Sequence, residues 1–268
     1  MSPARRRAAA GLVPALAWFA ATAAVAAGSA RSPTRLELER AWQPPSAALP
    51  FGAGEGGVDL LAATSHATSR ALLLAAGVAL VGFLLGTPLG AWAGFRGAFW
   101  GRAVGRACDL VQAFPSFLLA LTLLASVREP TRWHLGIVFS AGAWAPFARM
   151  ALLQARVLAG SPFLEAARAM GAGRARVVFR HVLPNLLGPV AIQAGSAAAA
   201  VVLGEASLSF VGLGPRDGAS LGALLEQGVL VMLRAPHVLV VAAAAVVLTS
   251  GTLQLASEAL RAAWLADE

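Results

Sequence analysis

Six stretches of the chain are apolar and nearly free of charge: residues 8–30, 71–95, 110–127, 133–148, 182–211 and 236–257. Each approaches or exceeds the roughly 17–25 residues that an α-helix needs to cross about 30 Å of hydrocarbon. The shortest, 133–148, reaches that length by borrowing residues up to Leu153. The pattern predicts an all-α membrane protein with about six transmembrane helices. The first stretch follows Arg5, Arg6 and Arg7 and is longer than the ~7–15 apolar residues of a signal peptide, so it reads as an uncleaved helix. The chain divides into an N-terminal helix over 1–30, a Pro-, Gly- and Ser-rich extracytoplasmic loop over 31–69, a five-helix core over 70–258 and a tail over 259–268.

Composition agrees with this division. The 268 residues are 58% hydrophobic and 13% charged, where a soluble domain carries about 25% charged residues. A soluble enzyme is disfavoured, and disorder is excluded. The net charge is +8, and every basic residue is Arg. With six crossings, 13 of the 21 Arg fall on the side of the N-terminus, the 96–106 and 149–181 loops and the tail. The other side carries eight, interleaved with Glu37, Glu39, Glu55, Asp59 and Glu129. The excess on one side places both termini in the cytoplasm of a multi-pass inner-membrane protein. The charge is thereby read as an orientation signal, and no nucleic acid partner is expected.

Little in the chain suggests catalysis or metal binding. Cys108 is the single cysteine, and His66, His134, His181 and His237 are dispersed, so no metal site and no catalytic residue are expected. A phosphate-cradling G-x-x-x-x-G-K-[ST] loop is impossible without Lys, so ATP chemistry belongs to another polypeptide.

Two features inside the spans invite more than one reading. Gly82, Gly86, Gly90 and Gly94 recur every four residues, a stripe that lets a second backbone approach closely. It suits packing within the bundle, a dimer interface or a translocation path, and Pro88 within it should kink the helix. Glu205 is an acid inside the fifth span, suited to a path or gate or to a structural pairing near the interface. Gln193, Ser196 and Gln254, with Thr249, Ser250 and Thr252, give the fifth and sixth spans polar faces. These either line a path for a hydrated solute or join helices.

The segment 156–184 is the most informative. Ser161 stands before Pro162 as a helix cap, and Gly171 or Gly173 can end the helix in a left-handed conformation. Phe163, Leu164, Ala167 and Met170 then form an apolar face outside the membrane, to be covered by a protein partner, the membrane interface or the bundle itself. The run Glu165-Ala166-Ala167, three residues, Gly171, nine residues, then His181-Val182-Leu183-Pro184 resembles the EAA loop of ABC-importer permeases, with His181 where the general pattern has Ile.

Further runs are similar to the dipeptide, oligopeptide and nickel branch of that family: Ala113-Phe114-Pro115-Ser116, Leu118-Leu119-Ala120-Leu121, and Gly204-Glu205-Ala206-Ser207-Leu208-Ser209-Phe210-Val211-Gly212-Leu213-Gly214. One segment departs from the branch. Where its members carry H-P-L-G-T-D-x-x-G-R-D, this chain has Leu49 to Asp59, keeping Pro50, Gly52, Gly57 and Asp59 but not the His, Thr, first Asp or Arg.

The resemblance implies a type I ABC-importer permease fold with a cytoplasmic coupling-helix loop. It implies a non-catalytic subunit moving peptides or a related small solute, nickel included, with ATP and Mg bound by partner ATPase subunits and no cofactor in this chain. Glu165, Ala166, Ala167, Met170, Gly171, Leu183 and Pro184 would couple to the ATPase. The other implied partners are a second permease, sister or identical, an extracytoplasmic solute-binding protein and membrane lipid. The competing reading is an ion-coupled secondary transporter or another polytopic membrane protein, and for the former only Glu205 with Pro115, Pro146 and Pro189 gives a hint.

Overall fold

The computed structural model describes residues 3–28, 36–215 and 218–265, with side chains from Leu12 to Trp264. The described residues form helices and loops without a named strand; Ala53 and Asp59 make one isolated antiparallel bridge. The helices are α1 (Pro3–Gly28), α2 (Leu60–Arg96), α3 (Ala98–Ala113), α4 (Ser116–Ala125), α5 (Arg132–Ala159), α6 (Pro162–Ala169), α7 (Arg174–Val177), α8 (Leu183–Asn185), α9 (Leu187–Phe210), α10 (Leu221–Leu230) and α11 (Pro236–Leu265). A π-helical turn, Val178–Val182, joins α7 to α8.

Four helices, α2, α5, α9 and α11, are long and apolar enough to cross a membrane, and α3 with α4 makes a fifth candidate bent by 62°. The sixth expected span corresponds to α1, whose described apolar part, Leu12–Gly28, is shorter than the other four. Its Trp18 indole N–H donates to Thr249 Oγ1 of α11 at 3.0 Å.

Two elements differ from the sequence expectation. The stretch 110–127 is not one straight helix but breaks at Phe114 and Pro115. Proline removes an N–H and holds the residue before it extended, and Phe114 sits at φ −84° and ψ 126°. By contrast α2 runs continuously through Pro88. One ladder bond is lost there, but the helix lies tightly against α5. Finally, α2 starts at Leu60 rather than near 70, because the Asp59 carboxylate accepts the Leu61 N–H at 2.9 Å and caps it. The remainder of the loop, described from Leu36, folds back as a cap: Leu49 and Ala53 are buried, and Trp42 and Val58 pack on the core.

The glycine stripe is the seam between α2 and α5. A methyl group on Gly82 would lie 2.8 Å from the Ala143 carbonyl oxygen, and one on Gly94 2.7 Å from that of Leu152. Gly86 and Gly90 face the Trp144 and Ala148 carbonyls more closely still. Both helices therefore present backbone to backbone, the closest approach two membrane helices can make. This seam separates two ends of the bundle. At one lie Arg96, α6 and the end of α11, where Trp264 covers Gly188; at the other lie the Trp42 cap, α10 and His237, whose Nε2 is 3.3 Å from the Ala53 carbonyl oxygen.

Candidate functional site: the loop from α6 to α8

Pro162 occupies the first turn of α6, where its missing N–H leaves nothing unpaired. The expected side-chain cap is not formed. Ser161 stands at the N-cap position, but its hydroxyl donates backward to the Leu158 carbonyl at 2.6 Å and ties α6 to the end of α5. The helix ends at Gly171, which takes φ +85°. Its N–H donates to the Arg168 carbonyl at 2.9 Å, and the Ala172 N–H to the Ala167 carbonyl at 3.1 Å. This pair of bonds is the Schellman closure, which needs a left-handed residue and so a glycine.

The apolar face expected from Phe163, Leu164, Ala167 and Met170 is split between two surroundings. Leu164 and Ala167 are buried, and Leu164 joins a cluster with Val177, Val178, Val182 and Leu186 from the same loop and Ala151 and Ala155 of α5. Phe163 and Met170 point away, Met170 at 83% exposed. Glu165 and Ala166 are exposed beside them. The bundle thus covers half of the face, and a bare strip remains.

Two features of the loop went unread in the sequence. The Arg168 guanidinium lies 4.5 Å from the Phe95 ring centroid and donates to the Ala159 carbonyl at 3.2 Å, pinning α6 to the ends of α2 and α5. The π turn ahead of Pro184 shifts the hydrogen-bond register, and the Asn185 amide donates to the His181 carbonyl at 2.7 Å. The only advance signal for the turn was Pro184, whose absent N–H breaks the α pattern. Leu183 is half-buried under the loop and Pro184 is exposed.

The candidate path residues do not converge. Ser196 Oγ lies 3.0 Å from Ser257 Oγ, and Ser257 donates to the Ile192 carbonyl at 2.7 Å, so Ser196 fastens α9 to α11. Gln193 is half-buried and Gln254 exposed. Glu205, nine residues beyond Ser196, lies about 13 Å further along the α9 axis. It is buried and accepts the Ser209 hydroxyl at 3.0 Å, while its second oxygen has no partner among the described residues.

A bundle with four helices long and apolar enough to cross a membrane, and a short anchored helix exposed at one end, has the make-up of a polytopic membrane protein. The chain belongs to the family of binding-protein-dependent transport system inner membrane components, which it matches over residues 86–259. It is 32% identical over 191 residues to the oligopeptide transport system permease protein OppC of Haemophilus influenzae, covering 71% of this chain and 61% of that protein. It is 31% identical over 228 residues to the glutathione transport system permease protein GsiD of Pectobacterium atrosepticum, covering 84% and 75%. A similar match, 30% over 229 residues, covers 84% of this chain and 78% of OppC of Mycobacterium bovis. The chain therefore spans less than two thirds of the Haemophilus relative.

Proposed function

We propose that this chain is the permease subunit of an ATP-binding-cassette importer that moves peptides or a related small solute across the inner membrane. ATP would be hydrolysed on a separate subunit docked on α6. The observation that carries this reading is the division of α6 into an anchored side, Leu164 and Ala167, and a bare side, Phe163, Glu165, Ala166 and Met170. An anchored helix transmits a push to the bundle, and small Ala166 permits close approach to a partner. Glu165 can pair with a basic residue of that partner. The Schellman turn at Gly171 and the Arg168 contacts make the helix a rigid lever rather than a loose loop. The relatives' names supply the solute class. Catalysis and cofactors are assigned to the partners, as are solute recognition by a binding protein and the second half of the pathway by another permease.

The test uses the single cysteine. Cys108 is fully buried, so Met170→Cys gives this chain one accessible thiol. A bifunctional thiol reagent should join this position to the ATPase subunit and not to the second permease. Failure to cross-link an ATPase that co-purifies with the complex would overturn the docking assignment.

A further inference from the structure

The bent pair α3 and α4 carries exposed charge and, at its bend, exposed broken backbone. α3 runs antiparallel to α5: Gly101 packs on the Arg156 side chain, and the Arg149 guanidinium pairs with the Asp109 carboxylate and donates to the Gly105 carbonyl at 3.4 Å. Both members of the ion pair stay open, Arg149 at 38% and Asp109 at 64% exposed. Arg102, Arg106 and Asp109 fall at i, i+4 and i+7, so they share one face of α3, and all three are exposed. Gln112, one turn past Asp109, is exposed as well.

The ion pair lies at membrane depth. The carbonyl of Ala148, next to Arg149, sits against Gly90 of α2, six residues before Arg96, so the pair lies about 9 Å inward of that charge. The charge-free run 71–95 has Phe83 at its middle. The pair is thus about 10 Å from the centre of a roughly 30 Å hydrocarbon layer. The break at Phe114 and Pro115 is about 8 Å further in, near that centre. Ala113, Phe114, Pro115 and Ser116 are exposed there, and α4 starts without a side-chain cap. The last carbonyls of α3 and the first N–H groups of α4 therefore have no partner within either helix.

Hydrocarbon can satisfy neither feature. Non-helical backbone at this depth is stable only against protein or beside water, and charges inside a membrane face a cavity or a partner. Water meets these needs better than a dry protein contact does. No acid occurs from residue 60 to 108, and Asp109 is already held by Arg149. In a dry contact Arg102 and Arg106 would lose their hydration with no acid of α3 left to replace it.

We propose that this face of α3, with Arg149 and the α3–α4 break, is a wall of the water-filled path that the solute takes. Three arginines against one acid make the wall positive, so it favours solutes that carry carboxylates, as peptides do, over bare divalent metal cations. The role in solute passage rests on the transport reading above, whereas the wetness of the wall does not.

The test labels thiols in the assembled transporter in liposomes. Cys108 is fully buried, so Gln112→Cys and Ser116→Cys each give this chain one accessible thiol. Charged methanethiosulfonates react with thiols that meet water. Both variants should react at least about ten-fold faster than Leu80→Cys and Leu84→Cys, which stand exposed on the charge-free run of α2. At Gln112→Cys the anionic sulfonate reagent should outpace the cationic ammonium reagent, each taken relative to its rate with a free thiol. Adding Arg106→Gln should cut that preference about three-fold. Rates as slow as at Leu84→Cys would mean that lipid or a dry subunit contact covers this face, and would overturn the wall. A preference unchanged by Arg106→Gln would overturn the charge selection. Fast labelling together with a failed Met170→Cys cross-link leaves the wall wet and removes the ATPase docking instead.

Discussion

The α2–α5 seam and the α6 loop are both built from small residues beside a glycine, yet they use them in opposite ways. Along the seam, Gly82 to Gly94 have no space for a side chain because the carbonyls of α5 occupy it. At Gly171 the space is open and only the backbone angle demands glycine. Ala166 is exposed, whereas Ala148 and Ala151 at the seam are fully buried. Small residues inside a bundle let helices close on each other; at its end, in the proposed function, they leave room for a partner.

This contrast is tested by substitutions whose structural cost falls from seam to loop as their functional cost persists. Gly86→Leu or Gly90→Leu drives a side chain into backbone, beyond the about 1–3 kcal/mol of ordinary overpacking. Membrane-inserted, folded protein should be lost by size-exclusion profile and thermal melting; a Gly90→Leu variant that melts with the parent would remove the seam from the fold. Leu164→Ala opens a cavity under α6 and should cost about 2–5 kcal/mol. Its thermal midpoint should fall while the chain still inserts, because the loop lies at the end of the bundle.

Gly171→Ala has room but strains the left-handed turn, at about 1 kcal/mol. A small drop in midpoint with a larger drop in solute uptake is expected, and an unchanged uptake rate would show that the turn angle does not matter. Smallest in stability is Glu165→Arg, an exposed change expected within about 0.5 kcal/mol of the parent. Its effect should appear only as loss of ATPase binding and of uptake in reconstituted vesicles. If Glu165→Arg lowered the midpoint as much as Leu164→Ala, the division of α6 into anchored and bare sides would be wrong.

Much of this was legible in the chain before any tertiary contact was known. Long charge-free stretches can satisfy their backbone in lipid only as helices, so α2, α5, α9 and α11 follow from composition and length. The Pro162 start and Gly171 stop of α6 are set by local backbone chemistry, and the spacing from Glu165 to Pro184 pointed to the family. The bend at Pro115 and the continuity at Pro88 were not separable in this way. Both prolines lack an N–H, and the one at 88 lies between Gly86 and Gly90, where α2 packs backbone to backbone on α5.

The uses of the polar residues were equally hidden. Ser196 reads as a pore residue or as a clasp until Ser257 is found beside it, because a hydroxyl has no direction in a sequence. Arg168 on Phe95 joins residues 73 positions apart.

The sequence by itself thus determined the medium, the helices and the family, since these rest on local hydropathy and short spacings. The tertiary structure alone decided which small residues close a seam and which side of α6 stays bare. Those properties are differences between neighbours, and a residue's neighbours are settled only when the helices pack.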